Sequence, residues 1–185
     1  IDYANDKDLK SLTSKMLVAW KKDTTRADIT QELAKMYYFQ EDYTNALMYY
    51  EKYIALLSTN KIDLYPAENI KIAYTYKQMG YPEKAQQYFK KYKDYLEEDE
   101  SIYKEASMAV RYLYEDKLDK AIEAYEKFSV QDGFQYWVVL FIEEDPLLKG
   151  LQNHPEYKKT IKKIETQFWK KHQQLKGNLQ EENLL

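Results

Sequence analysis

The chain contains few of the side chains that usually carry out catalysis or bind metal ions. It has no cysteine and two histidines, His154 and His172. Both histidines lie among polar residues near the C-terminus, and the sequence around them lacks the three or four ligands that a metal site needs. Without cysteine there is neither a disulfide nor a thiolate ligand. We therefore predict no metal site and no cofactor.

Carboxylates and glycines give no sign of an active site either. The acidic runs at 97–100 and 143–145 fall at predicted helix boundaries, where carboxylates stabilise helix starts and keep turns hydrated. That interpretation is favoured over general acid–base catalysis, which needs groups that converge on a substrate. The four glycines are scattered, so they form no phosphate-binding loop. The sequence predicts a protein that is not an enzyme.

Lysines crowd the last predicted helix. They are Lys158, Lys159, Lys162, Lys163, Lys170, Lys171 and Lys176. Such a stretch could meet phosphates or an anionic membrane. The lysines lie off the apolar stripe of Ile161, Ile164 and Phe168, as on an ordinary amphipathic helix. We favour a solvated helix face, and a formal net charge of −3 disfavours nucleic acid as a partner.

The overall composition indicates a helical protein. Apolar residues make up 44% of the 185 residues and charged residues 32%, which is normal for a packed fold. Glycine and proline number 4 each, and this scarcity favours helices joined by short connections. The longest apolar run, at 137–142, is far shorter than the roughly 20 residues of a membrane-spanning helix. No membrane span is predicted.

One pattern of small and aromatic residues occurs three times in tandem. A small residue is followed by an aromatic residue three positions later, an alanine nine further on, and an aromatic residue four beyond that. The copies are Ala34/Tyr37/Ala46/Tyr50, Ala73/Tyr76/Ala85/Phe89 and Ala109/Tyr112/Ala121/Tyr125. Identical intervals in three copies indicate an internal repeat.

Each copy is predicted to form a helical hairpin. The first helices are expected at about 27–39, 66–79 and 102–115, and the second at about 43–58, 82–96 and 118–129. Gly80 suits a left-handed helix end, and Pro66 and Pro82 suit first turns. The hairpins therefore occupy about 27–60, 66–97 and 102–130.

Helices are also expected on both sides of the repeats. Apolar spacing predicts a helix at about Asp6–Lys22, packed on the first hairpin within residues 1–26. Residues 134–185 are predicted to form a C-terminal cap. In it we expect a buried helix at 134–142, an N-cap at Asp145–Pro146, a last helix at about 155–175 and a polar, frayed tail at 177–185.

The repeated register, with Gly80 in one turn, resembles the tetratricopeptide-repeat (TPR) signature over about residues 27–133. The resemblance implies an all-α protein with a TPR-like α-α superhelix, a solenoid of stacked hairpins. The signature's early large residue and closing proline are missing. The early large residue is replaced by Thr30, Asn69 and Glu105. The closing proline is replaced by Ser58, Glu97 and Gly133. These departures concern the curvature of the solenoid and the ends of its helices more than the fold itself.

In the TPR family the first helix of each hairpin lines a concave groove, which implies a peptide-binding surface here. The residues predicted to bind are Lys35, Tyr38, Phe39, Tyr74, Lys77, Tyr103, Val110 and Tyr114. Chaperone-adaptor members clamp a terminal carboxylate with Lys, Asn and Arg at these positions, and this sequence lacks that set. An aromatic groove for an extended or helical peptide is expected, with pure helix packing of the tyrosines as the alternative.

A second resemblance concerns residues 144–157, which include Asp145-Pro146-Leu147 and Pro155. They resemble the tail that closes TPR regions in some large bacterial multidomain regulators. This implies an alternative function as a regulatory or self-association segment, with another part of the same protein as the partner. Because the chain begins at Ile1, we expect it to be part of something longer. The sequence leaves the cellular compartment open.

Overall fold

The computed structural model describes residues 8–62 and 64–182, and every regular element in these ranges is a helix. The all-α prediction is confirmed for this part of the chain. The α-helices are α1 Leu9–Lys22, α2 Ala27–Phe39, α3 Tyr43–Asn60, α4 Asn69–Gln78, α5 Pro82–Glu98, α6 Lys104–Tyr114, α7 Leu118–Phe128, α8 Tyr136–Phe141 and α9 Tyr157–Glu181. Short 3-10 helices cover Pro66–Glu68, Ile142–Glu144 and Pro146–Leu151.

The helices lie close to their predicted positions, with differences at the ends. The predicted start at Asp6 and the last three tail residues fall outside the described residues. Pro66–Glu68 forms a 3-10 turn before α4. The prediction of a frayed tail from Gly177 is wrong for 177–181, because α9 continues to Glu181. The surrounding Lys, Gln and Leu favour a helix enough to offset the cost of one glycine, about 1 kcal/mol.

The turns between paired helices share one backbone geometry. Glu41, Gly80 and Asp116 occupy the same repeat position, and all have a positive φ, of 58°, 79° and 57°. In each turn the next amide donates to the carbonyl of the signature tyrosine five residues earlier, at 2.9–3.0 Å. Those tyrosines are Tyr37, Tyr76 and Tyr112. This is the hydrogen bond of a Schellman helix end.

Neighbouring helices pack as hairpins around small residues. Ala34, Ala46, Ala73, Ala109 and Ala121 are completely buried, and their size lets the paired helices approach closely. Aromatic pairs fill the space beside them in the first two hairpins. Tyr37 stacks on Tyr49 and Tyr76 on Tyr88, each with 5.5 Å between ring centroids. The adjacent helices therefore form packed pairs.

The chain divides into two compact units, Ile1–Glu97 and Glu98–Leu185. The first contains α1 to α4 and nearly all of α5, with Leu33, Tyr38, Tyr50 and Tyr53 buried in its interior. The second contains α6 to α9. The predicted arrangement of a first helix, three repeats and a cap stays a prediction.

Residues 134–151 in the second unit connect the third hairpin to α9. The buried helix predicted at 134–142 is shorter than expected, since α8 spans Tyr136–Phe141 and a 3-10 turn follows. It is also only partly buried, because Trp137 is 51% exposed. The predicted N-cap at Asp145 is present, and its carboxylate accepts from the Leu147 amide at 3.0 Å.

Candidate functional site

Helices α2 and α4 bring two of the predicted binding tyrosines together. The Tyr38 and Tyr74 ring centroids are 6.0 Å apart, and Tyr43 at the start of α3 completes a triangle. Tyr43 lies 6.4 Å from Tyr38 and 6.0 Å from Tyr74. The rings meet edge to face, an arrangement that aromatic side chains favour. We call these three residues the tyrosine triangle.

The members of the tyrosine triangle differ in their solvent exposure. Tyr38 is completely buried, whereas Tyr43 and Tyr74 are half-buried. Phe39 packs against Tyr38 at 5.7 Å and is itself buried. The structure thus gives Tyr38 and Phe39 packing positions, so the exposed part of the tyrosine triangle belongs to Tyr43 and Tyr74.

The two predicted lysines lie on the same two helices. Lys77 is exposed in the last turn of α4. Lys35 on α2 is 21% exposed and forms an ion pair with Glu32. A ligand carboxylate that approached Lys35 would therefore compete with Glu32 for its ammonium group.

A buried carboxylate contacts the same helices as the tyrosine triangle. Glu68, at the end of the 3-10 turn before α4, is only 5% exposed. It accepts a hydrogen bond from the Tyr50 hydroxyl at 2.6 Å and lies 3.6 Å from the Lys71 ammonium group. Gln31 on α2 also hydrogen-bonds to it. Glu68 thereby connects the turn before α4 to α2 and α3.

The charges around Glu68 decide its protonation. Burial alone would raise the pKa of its carboxyl group, because the interior disfavours the charged form. The positive charges of Lys71 and Lys35 and the hydrogen bonds from Tyr50 and Gln31 outweigh burial and lower the pKa below 4.5. Glu68 is therefore ionised at neutral pH.

The remaining predicted residues lie on or near α6 in the second unit. The Tyr103 hydroxyl accepts a hydrogen bond from the Gln135 amide at 3.1 Å, and its ring contacts those of Phe128 and Trp137. Val110 and Tyr114 are half-buried, and burial raises the pKa of the Tyr114 hydroxyl. Tyr103 thus has clear packing and hydrogen-bonding roles within its own unit.

Two members of this arrangement were not among the predicted binding residues. Tyr43 follows the N-cap Asp42 in sequence, and nothing in the pattern shows that its ring reaches α4. Glu68 looks like an ordinary first-turn carboxylate after Pro66. A charged residue beside a proline gives no sign of burial, so both contacts became visible only in three dimensions.

Two other titratable side chains, those of Tyr76 and His154, lie against carboxylates. The Tyr76 hydroxyl contacts Glu51 at 3.4 Å, and burial together with that carboxylate raises its pKa to about 12. His154 lies 3.1 Å from the Asp119 carboxylate through Nε2. Among the described residues, no group of three or more His, Cys, Asp or Glu side chains could hold a metal ion.

No protein-family model matches the chain, and no curated protein matches it in sequence. In the described residues, none of the helices combines the length and apolar character needed to cross a membrane.

Proposed function

We propose that this protein is a non-catalytic scaffold that binds a protein or peptide through the exposed part of the tyrosine triangle. We further propose that its three hairpins are TPR-like repeats that stack as a superhelix. The first unit supplies the binding surface, with Tyr43 and Tyr74 as aromatic contacts and Lys77 as the neighbouring positive charge.

The shared turn geometry supports the repeat proposal. A positive φ recurs at one repeat position in three different sequence contexts, although two of the three residues there are Glu and Asp rather than Gly. Residues with a Cβ rarely adopt this conformation, so its recurrence supports the proposal that the three hairpins are repeats. Stacking of such hairpins is how solenoid repeats bury their apolar surfaces.

The observation that carries the binding proposal is the half-exposed pair Tyr43 and Tyr74 supported by the buried Tyr38 ring. Aromatic side chains that are already held by packing lose little conformational freedom when a ligand covers them. They also combine an apolar ring with a hydroxyl that can hydrogen-bond a peptide backbone. Exposed Lys77, on the same helix as Tyr74, favours a ligand with a carboxylate or carbonyl group nearby.

Peptide selection on the intact chain tests the proposal. A displayed library of linear peptides is selected against the protein, and the affinity of the enriched peptides is measured by titration calorimetry. We expect Tyr74→Ala to weaken binding by about tenfold to a hundredfold, the range for an aromatic hot spot.

The matched control is Tyr81→Ala, because Tyr81 is a 50% exposed tyrosine in the same unit but outside the tyrosine triangle. It should leave the affinity unchanged. Equal effects of the two substitutions, or the absence of any enriched peptide, would contradict the proposal.

A further inference from the structure

The second half of α9 exposes an aromatic and an aliphatic side chain on one side of the helix. Trp169 is 44% exposed and Leu175 is 58% exposed. His172 and Lys176 lie between them around the helix and are also exposed. At 100° per residue these four residues occupy about a third of the helix circumference. We call them the α9 end face.

The Trp169 ring is held in place by its neighbours. It contacts the Tyr136 ring at 5.6 Å and the His172 ring at 5.6 Å, and it meets Phe168 at 5.2 Å. Tyr136 is itself 36% exposed. The tryptophan is thus fixed against the second unit while nearly half of its surface remains open.

Positive charge follows the same side of α9. Lys162 and Lys176 lie seven residues before and after Trp169, about two turns in each direction, and Lys158 extends the row. The Glu165 carboxylate beside this row is bound to Lys162 at 3.2 Å. Within the described chain, Lys158 and Lys176 have no ion-pair partner, so their charges face solvent.

We propose that the α9 end face binds the surface of an anionic lipid bilayer. The headgroup region takes up tryptophan and exposed aliphatic side chains together, while flanking lysines reach the lipid phosphates. Single-stranded nucleic acid would use the tryptophan ring and the lysines but gains little from exposed Leu175. A protein interface would be expected to have less lysine, which is depleted at interface cores.

Vesicle co-sedimentation of the full chain tests the proposal. The protein should sediment with vesicles of equal parts phosphatidylcholine and phosphatidylglycerol, and remain in solution with phosphatidylcholine alone. Added salt should weaken the binding. Lys158→Gln with Lys176→Gln should reduce partitioning by about fivefold per lysine. The same change at the exposed pair Lys21 and Lys22 of α1 is the matched control and should have a smaller effect.

Insertion of the end face is tested separately. Brominated phosphatidylglycerol should quench tryptophan emission in the unaltered chain, and Trp169→Phe should remove most of that quenching. Trp169→Gln with Leu175→Gln should reduce partitioning at least tenfold, by the loss of buried apolar area. Thermal unfolding of each variant confirms that it is folded.

Three outcomes would overturn the proposal. The first is no binding to phosphatidylglycerol vesicles by the unaltered chain. The second is equal loss from the α1 and α9 lysine pairs, which would indicate general charge attraction. The third is a chain that does not bind vesicles but binds oligothymidylate in a salt-sensitive way. If the α9 lysine variant lost that binding, the surface would be assigned to nucleic acid.

Discussion

At the scale of single residues, Glu68 shows how the first unit keeps a charge in its interior. Its carboxylate accepts a hydrogen bond from the Tyr50 hydroxyl and lies near the Lys71 ammonium group. Burying a charge is costly unless hydrogen bonds and an opposite charge compensate it. The compensation comes from α2, α3 and α4 together, so Glu68 contributes to the relative position of Tyr38 and Tyr74.

We predict that Glu68→Gln destabilises the protein by roughly 1–3 kcal/mol at neutral pH, the usual cost of weakening a charged buried hydrogen bond. The pKa of Glu68 is lower in the folded than in the unfolded state, so its stabilisation is fully present above about 4.5 and is lost as pH falls through the folded pKa. Urea unfolding at a series of pH values measures this.

In those experiments the difference between the variant and the unaltered chain should shrink as the pH drops below 4.5. Glu123→Gln, at an exposed position on α7, is the control and should change stability little at any pH. A Glu68→Gln difference that stays constant down to strongly acidic pH would contradict the assigned ionisation.

The tyrosine triangle gives a prediction that separates packing from binding. Tyr38→Ala should cost roughly 3–5 kcal/mol of folding stability, because it empties a completely buried aromatic site. Tyr74→Ala should cost less, about 1–2 kcal/mol, because Tyr74 is only half-buried. Thermal and chemical unfolding measure both. Equal losses would mean that Tyr74 serves the core as much as Tyr38 does.

At the scale of elements, we expect substitutions in two of the three turns to change the folding stability in opposite directions. Gly80→Ala should destabilise the protein by about 1 kcal/mol, since a Cβ disfavours its left-handed conformation. Asp116→Gly should stabilise it by roughly 0.5 kcal/mol, because the same strain is removed at some cost in chain entropy. The free energy of unfolding reports both changes.

Gly177→Ala provides the control for these turn substitutions. Gly177 lies within α9, and a Cβ added there would meet no atom within 4 Å. Alanine should therefore stabilise α9 through its helix propensity, by up to about 1 kcal/mol. If Gly80→Ala stabilised the protein as Gly177→Ala does, the left-handed turn would not be a constraint.

The sequence was sufficient to predict the helices because their signals are local. Apolar spacing gave the limits of α2 without error, and the left-handed helix end predicted at Gly80 is present. The end of α9 was missed because the polar tail from Gly177 was expected to fray, although one glycine costs less than the surrounding residues supply.

The candidate site was harder to predict because it depends on contacts between helices. Tyr38 and Tyr74 are both tyrosines on the first helix of a hairpin, and only the packing shows that one is buried and the other half-buried. The pairing of Glu68 with Tyr50 joins residues 18 positions apart. Residue types and spacing do not determine such contacts.

At the scale of the whole molecule, the two function hypotheses differ in oligomeric state. Peptide binding by the first unit needs one chain, whereas the alternative of a self-association segment needs at least two. We expect light scattering to give the mass of a single chain, 22.3 kDa. A stable dimer across a wide concentration range would favour the self-association alternative.

The most direct test of peptide recognition is an amide chemical-shift titration of the isotope-labelled chain with an enriched peptide. The scaffold proposal predicts that the largest shifts lie at Tyr43, Tyr74 and Lys77, with Tyr81 unaffected. Saturation should follow the affinity measured by calorimetry. Shifts confined to other surfaces, or no shifts at saturating peptide, would contradict the proposal that the tyrosine triangle is the binding surface.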